Sequence, residues 1–156
     1  MTLKLIEGAV DAVKTYLSDN IAAKLDALDT EYADGITLDD IKAWYVAEVQ
    51  AVPEFPSVFI LGESMPVDGE GNGWMKSQSK LTIAVMATDQ NPETLKRRLY
   101  RYIRALIELL IEARVSVSWA YVIEFTNVNY SPLFSAAGEF LSDARLEVSL
   151  RSYETK

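Results

Sequence analysis

The sequence contains neither cysteine nor histidine in its 156 residues. Without cysteine, the chain cannot form a disulfide framework, a thiolate nucleophile or a zinc-thiolate site. Without histidine, it lacks the side chain that most often acts as a general base near neutral pH. These absences exclude most hydrolase triads and most transition-metal sites, so that an enzyme of this sequence would have to use carboxylates or lysine alone. We expect no catalytic residue, no metal and no cofactor.

Long apolar runs are also missing. The stretch from Ala105 to Ile111 is interrupted by Glu108, and it falls far short of the roughly 20 apolar residues that a membrane span needs. Near the start of the chain, Glu7 and Asp11 interrupt the pattern that an export signal would require. We therefore expect no membrane association and synthesis inside the cell.

Positive charge is scarce: 15 lysines and arginines stand against 23 acids, for a net charge of −8. The acids are concentrated in residues 1–50, which hold ten acids and four bases, whereas residues 91–114 hold three acids and six bases. Affinity for nucleic acid comes largely from cationic groups that displace counterions from phosphates. The charge therefore predicts that the protein does not bind DNA or RNA stably.

The first third of the chain has a helical pattern. Apolar residues recur at helical spacing from Leu3 to Leu28, which predicts one long helix or two in series. A further helix is expected from Leu38 to about Val49, with Thr37 as its N-cap and with Asp39 and Asp40 at the positive end of its dipole. Residues 1–50 are thus predicted to be a helical segment.

The rest of the chain alternates between strand and helix patterns. Two β-hairpins are predicted, over residues 57–88 and 115–153, and a long amphipathic helix over residues 92–113 separates them. In the second hairpin the apolar parity switches after Asn127, which indicates a β-bulge or bend near that point. The sequence therefore predicts a single α+β domain over residues 1–156, in which N-terminal helices accompany a mostly antiparallel sheet.

One loop has a superficial metal-binding pattern. Residues 68–73 place oxygen ligands at alternate positions and a glycine at the sixth, like the first half of a calcium loop. The twelfth position is Ser79, where a calcium loop needs a bidentate carboxylate, and strands rather than helices are predicted on both sides. We interpret the segment as a hairpin loop without a metal.

Two groups of residues are candidates for protein contacts. Trp74 and Met75 lie beside the glycine-rich part of the loop over residues 65–80, where a tryptophan can anchor an interface or simply pack on its own hairpin. Arg97, Arg98 and Arg101 belong to the basic part of the long helix. They can contact an acidic neighbouring subunit, or they can form a solvated face that is partly paired with the acidic N-terminal helices.

Four features in this order carry a resemblance to a known family. They are the strand that ends in Phe59-Ile60-Leu61-Gly62-Glu63, the returning strand from Leu81 to Val85, the helix that begins at Asn91-Pro92-Glu93-Thr94-Leu95, and the final alternating strand. Together, after a helical first third, they resemble the small tail terminator and neck (tail completion) proteins of tailed bacteriophages.

The resemblance implies a structural protein of the virion. Such a protein forms a ring, commonly a hexamer, on the head-proximal end of the tail tube, stops tube polymerisation and offers a docking surface for head joining. The implied partners are further copies of the chain, the tail tube protein and the head connector or neck proteins, with DNA only in transit through a channel. The implied location is the tail or neck of the virion, after assembly in the host cytoplasm.

Other functions stay open at this point. Within the same neck, a head-completion or adaptor protein is the first alternative, and a stoichiometry of twelve rather than six would favour it. A monomeric host domain that binds a small molecule or peptide, through the sheet face or the glycine-rich loop, is the second. An enzyme is the third.

Overall fold

The computed structural model describes residues 5–69, 74–117 and 123–155, which form two helices and a seven-stranded sheet. The helices are α1 (Ile6–Tyr32) and α2 (Pro92–Ser116). The strands are β1 (Ala43–Tyr45), β2 (Ser57–Ser64), β3 (Val67–Gly69), β4 (Trp74–Asp89), β5 (Ile123–Tyr130), β6 (Phe134–Ala136) and β7 (Glu139–Thr155). The predicted α+β class is confirmed.

The sheet has the strand order β1-β2-β4-β7-β5, with β3 paired to β4 and β6 paired to β7. Every pair is antiparallel except β1 with β2, which is parallel. The two predicted hairpins, β2 with β4 and β5 with β7, are joined because β4 and β7 pair from Trp74 opposite Thr155 to Asp89 opposite Phe140. The expectation of a mostly antiparallel sheet is thus confirmed.

A single helix, α1, forms most of the first third of the chain. Six apolar residues at helical spacing are buried along one side of it: Val10, Val13, Leu17, Ile21, Leu25 and Leu28. That side packs on β2 and β4 and beside α2. At Gly62 of β2 the approach is very close, since a Cβ there would lie 2.9 Å from Cδ1 of Ile6. The glycine therefore lets the first turn of α1 rest directly on the sheet.

The second helix, α2, begins where the sequence predicts. Asn91 is its N-cap, and the side-chain oxygen accepts hydrogen bonds from the backbone N–H groups of Glu93 (2.9 Å) and Thr94 (3.1 Å). Pro92 occupies the first helical position, where the missing N–H costs nothing. One side of α2 is buried against β4, β7 and α1.

The end of α2 corrects one prediction. The second hairpin was expected to begin at residue 115, but the helix continues to Ser116, and Val115 lies in its last turn with 92% of its surface exposed. The strand that pairs with β7 starts at Ile123. The alternation of Val115 and Val117 matches a strand pattern, yet the hydrogen-bond ladder of α2 extends through it, and Val117 donates its N–H to the carbonyl of Ala113.

The predicted helix from Leu38 to Val49 is also wrong. Residues 37–42 have no regular structure, and Ala43–Tyr45 form the edge strand β1. The backbone N–H of Leu38 donates to the carboxylate of Asp29 near the end of α1, so Thr37 caps no helix. Pairing with β2 satisfies the backbone of β1 within the sheet, and this tertiary interaction overrides the local helical signal.

The molecule has two layers, because both helices lie on the same face of the sheet. The helix-facing row includes Val58, Ile60, Ile83, Val85, Leu146 and Val148, all of them buried. By strand alternation, the opposite face carries Phe59, Thr82, Ala84, Arg145 and Glu147. The predicted bulge is confirmed, since the register of β5 against β7 shifts between Phe125 and Asn127.

Candidate assembly interface

Arg101 is the most buried of the candidate arginines, with 4% of its surface exposed. Its guanidinium forms a two-point ion pair with Asp34, just beyond α1, and also donates to the carbonyl of Ile36 (3.2 Å). The ring of Tyr32 lies against it, with the guanidinium carbon 3.9 Å from the ring centroid. The hydrogen bonds from Arg101 lower the pKa of Asp34 to about 2. Arg101 therefore holds the chain that leaves α1 against α2.

Arg98 and Arg104 also have partners within the chain. Arg98 donates to Asp89 at the end of β4 (2.7 Å), and Asp39 lies 3.7 Å from the same nitrogen. Arg104 donates to both carboxylate oxygens of Glu31 on α1 (2.9 Å each). The sequence allowed the basic helix to pair with the acidic first third of the chain, and this pairing is present for Arg101 and Arg104 and, at 3.7 Å, for Arg98.

Arg97 differs from these neighbours. Its side chain is 52% exposed, and among the described residues its ion-pair partner is Glu93, one turn earlier on the same helix (2.9 Å). An exposed pair of this kind contributes little to stability, so the guanidinium is free to exchange partners. Of the three candidate arginines, Arg97 is the one whose geometry suits contact with an acidic neighbouring subunit, and that contact stays a prediction.

The second candidate group lies at one end of the sheet. Trp74 and Met75 are the first two residues of β4, and their backbones pair with Thr155 and Glu154 of β7. Their side chains, and residues 70–73 of the loop, lie outside what the structure describes. The first two residues of the calcium-like pattern, Asp68 and Gly69, belong to the short strand β3. The interface role of Trp74 and Met75 remains a prediction.

An exposed aromatic patch beside the end of β5, which the sequence did not predict, consists of Tyr100 of α2 and Tyr130 of β5. These side chains are 51% and 41% exposed. Phe134 of β6 is 62% exposed, but its pairing with Leu141 places it on the opposite face of the sheet. The rings of Tyr100 and Tyr130 meet edge to face, with their centroids 4.9 Å apart. The only sequence signal for the patch was that Tyr100 lies off the apolar stripe of α2. Exposed aromatic side chains are typical anchors of protein interfaces.

The edges of the sheet form another feature that the sequence did not locate. β5 is the last strand on one side and β1 the last on the other, so each presents a row of backbone groups that no described strand pairs. Locating them required the strand order, which follows from long-range pairing of β4 with β7.

The helix-free face of the sheet contains a polar depression of about 540 Å³. Its lining includes Glu63, Lys80, Thr126, Arg145 and Glu147. Arg145 is held by Asp143 on the same strand (2.9 Å). Acids and bases alternate here, and within residues 5–69, 74–117 and 123–155 no cluster of three acidic side chains is arranged to hold a metal ion.

Neither described helix is long and apolar enough to cross a membrane. No family model matches the sequence, and no curated protein matches it. Among solved structures, the fold is similar to that of a chain in a structure described as the virion of a native gene transfer agent particle, with a TM-score of 0.40 and 14% sequence identity. That alignment covers 87% of this chain and 95% of the other.

Proposed function

We propose that this protein is a tail terminator of a phage-like particle, a structural component that forms a ring on the end of the tail tube. The observation that carries the proposal is the pair of open sheet edges, β5 on one side of the molecule and β1 on the other. A ring of identical subunits needs two different surfaces that face each other around the axis. A two-layer fold with an open edge on each side meets that requirement.

The proposed ring caps the tube and stops its polymerisation, and its other side accepts the head connector. The end of the sheet that contains Trp74 and Met75 is proposed to contact the neighbouring protein in the stack. Arg97 is proposed to contact the adjacent subunit, where it would exchange its pair with Glu93 for an acid of the neighbour. Six copies are expected from the resemblance to tail terminators.

The charge suits a ring through which DNA passes. With a net charge of −8 per subunit, a channel formed by several copies carries mostly negative charge and does not retain phosphates. The role is architectural and involves no catalytic residue.

Native mass spectrometry over a range of protein concentrations, followed by negative-stain imaging, tests the proposal. We expect closed rings of six. A second assay adds the protein to polymerising tail tube protein and measures tube length, which a terminator should shorten in proportion to its concentration. Rings of twelve that bind the head connector and leave tube length unchanged would instead identify an adaptor of the neck.

The polar depression on the helix-free face favours a second candidate, a monomeric domain that binds a small polar ligand. Its alternating charges around Lys80, Arg145 and Glu147 suit a ligand that carries both donors and acceptors. Tight binding of one defined metabolite by a protein that stays monomeric, measured by calorimetry, would support this function over assembly.

A further inference from the structure

The outer edge of β5 lacks the features that usually protect an edge strand. Natural edges carry lysine, proline or inward-pointing charges that discourage pairing with another chain. The sequence of β5, Ile123–Tyr130, has no lysine and no proline. Its one charged residue, Glu124, is already paired with Arg151 of β7 (2.8 Å). Within residues 5–69, 74–117 and 123–155, no strand pairs with this edge, and its sequence does not discourage pairing.

The half of β5 nearest Tyr130 is the better half for pairing. The bulge is confined to Phe125–Asn127, and from Asn127 to Tyr130 the register against β7 is regular. The exposed aromatic patch of Tyr100 and Tyr130 lies at this end, on the helix side of the sheet. An incoming strand would find free backbone groups and apolar surface together.

On the opposite edge of the sheet, the residues of β1 lie at the same height along the strands as the Tyr130 end of β5. Following the register across the strands, Tyr130 stands opposite Ala144, then Val85, then Val58, and finally Trp44 of β1. The residue after β1, Val46, is 48% exposed, so this edge also has apolar surface beside it. If the ring axis runs along the strands, the rotation that generates the next subunit leaves each residue at the same height along that axis. Strand tilt adds only a stagger between neighbouring strands.

The strand directions also match. β1 runs parallel to β2, and each following step to β4, β7 and β5 reverses direction, so β5 runs opposite to β1. A neighbour generated by rotation about an axis along the strands keeps its direction. Its β1 would therefore lie antiparallel to β5, the arrangement that forms the more stable ladder.

We propose that β5 of one subunit pairs with β1 of the next copy of the same chain, near Tyr130 and Trp44, so that the sheets continue around the ring. The inference rests on the proposed ring and specifies its contact. Tyr100 and Tyr130 provide the apolar part of the interface on the helix side of the sheet, and Val46 lies on the receiving side. The competing arrangement is a two-fold pair of β5 with β5, which would close at a dimer and leave β1 uncovered.

Because the chain has no native cysteine, crosslinking through introduced cysteines has no background. Two single variants, Asn129→Cys on β5 and Ala43→Cys on β1, are treated with a short bismaleimide separately and as a mixture. In the proposed pairing Asn129 stands opposite Tyr45 of the neighbour, and Ala43 lies two residues further along on the same face of the sheet. Asn129 is exposed and Ala43 is partly exposed. We expect a covalent dimer in the mixture, none from either variant alone, and a ladder up to the full ring from the double variant.

Val115→Cys replaces Asn129→Cys in the control mixture, because Val115 is exposed near the opposite end of β5 and should give no product with Ala43→Cys. A dimer from Asn129→Cys alone would show two-fold pairing and overturn the inference. If rings form but the mixture of the two cysteine variants gives no covalent dimer, the inference is also overturned, whereas the proposed terminator function is not. If neither rings nor crosslinks form at any concentration, the inference fails, and the tube-length assay decides the terminator function separately.

A second set of variants tests the aromatic patch. Tyr100→Lys and Tyr130→Lys place charge on the patch, and we expect the concentration at which half of the chain is assembled to rise about tenfold or more. Val115→Lys is the matched control and should leave that concentration unchanged. Circular dichroism verifies that each variant is folded. Unchanged assembly of both patch variants would contradict the inference.

Discussion

At the scale of single residues, the contact between Arg101 and Asp34 links stability to pH. The Arg101 hydrogen bonds hold the pKa of Asp34 at about 2, below its ordinary 3.8. The folded state therefore binds fewer protons at this site than the unfolded state between those values. The stabilisation is present above pH 3.8 and is lost as the pH falls toward 2. We expect urea unfolding of the wild-type protein to show a falling free energy in this range.

Asp34→Asn is the variant that isolates this effect. It should be less stable than wild type at pH 7 and should show a shallower loss of stability between pH 4 and pH 2. Asp26→Asn, an exposed α1 variant for which the structure shows no ion pair, serves as the control and should keep the wild-type slope. Equal slopes for Asp34→Asn and wild type would contradict the assigned role of the Arg101 pair.

Gly62 provides a second prediction at this scale. A valine there would force its side chain against Ile6, whose atoms lie 2.9 and 3.0 Å from an ideal Cβ. We expect Gly62→Val to lower the free energy of unfolding by about 1–3 kcal/mol, the usual cost of overpacking. In a double-mutant cycle, Ile6→Ala should recover part of that loss, because it removes the clashing atoms. Additive effects would contradict the contact.

The sequence predicted that some of these residues form ion pairs, but it did not predict how deeply they are buried. Pairing of α2 arginines with the acidic first third followed from opposite charges. The near-complete burial of Arg101 did not, because only the path of residues 33–37 back over α2 brings Asp34 and Ile36 to the guanidinium. Helical spacing alone places Arg101 beside the apolar stripe without showing what lies opposite.

At the scale of elements, the N-cap of α2 allows a direct test. Asn91→Ala removes the acceptor of two backbone N–H groups, and we expect a loss of about 1 kcal/mol in the free energy of unfolding. Asn20→Ala is the matched control in the middle of α1. In the described part of the chain, the exposed Asn20 side chain donates to the carbonyl of Tyr16 one turn earlier, so alanine there should be neutral or slightly stabilising. Chemical denaturation of both variants checks the difference.

Elements with strong local signals were predicted well. The α2 start has a cap, a proline and an acid in succession, and α1 has an unbroken apolar spacing. The failures came where a distant strand decides the conformation. β1 is a strand because β2 lies beside it. The end of α2 is a different case: the helix continues past Val115 because no local residue stops it there. Such contacts leave no periodic trace in the sequence.

At the scale of the whole molecule, charge should oppose assembly. Each subunit carries −8, so neighbouring copies repel one another, and added salt screens that repulsion. We expect the fraction of assembled protein, measured by analytical ultracentrifugation, to rise as NaCl is increased from about 50 to about 300 mM. Over that range the Debye length falls below about 10 Å, so the repulsion between subunits is screened. A fall would indicate that ion pairs such as those proposed for Arg97 dominate the interface, and Arg97→Ala should then abolish the salt dependence.

The candidate interface was predictable only in part. Composition pointed away from most catalytic chemistry, and the resemblance pointed to assembly. The sequence placed candidate contacts at Trp74, Met75, Arg97, Arg98 and Arg101, of which Arg98 and Arg101 are paired within the chain. The β5 edge and the patch of Tyr100 and Tyr130 emerge only when separate elements meet. A strand pattern shows that a segment belongs to a sheet, but not which strand lies at the edge.

The position of β7 also sets the order of events during synthesis. This strand lies between β4 and β5, and its partners in β4 are far away along the chain, since Trp74 pairs with Thr155. Contacts of such long sequence separation form slowly. Until residues 139–155 have left the ribosome, β5 has no neighbour to hold it at the edge of the sheet. A nascent chain therefore cannot present both edges at once, which delays self-association until the subunit is folded.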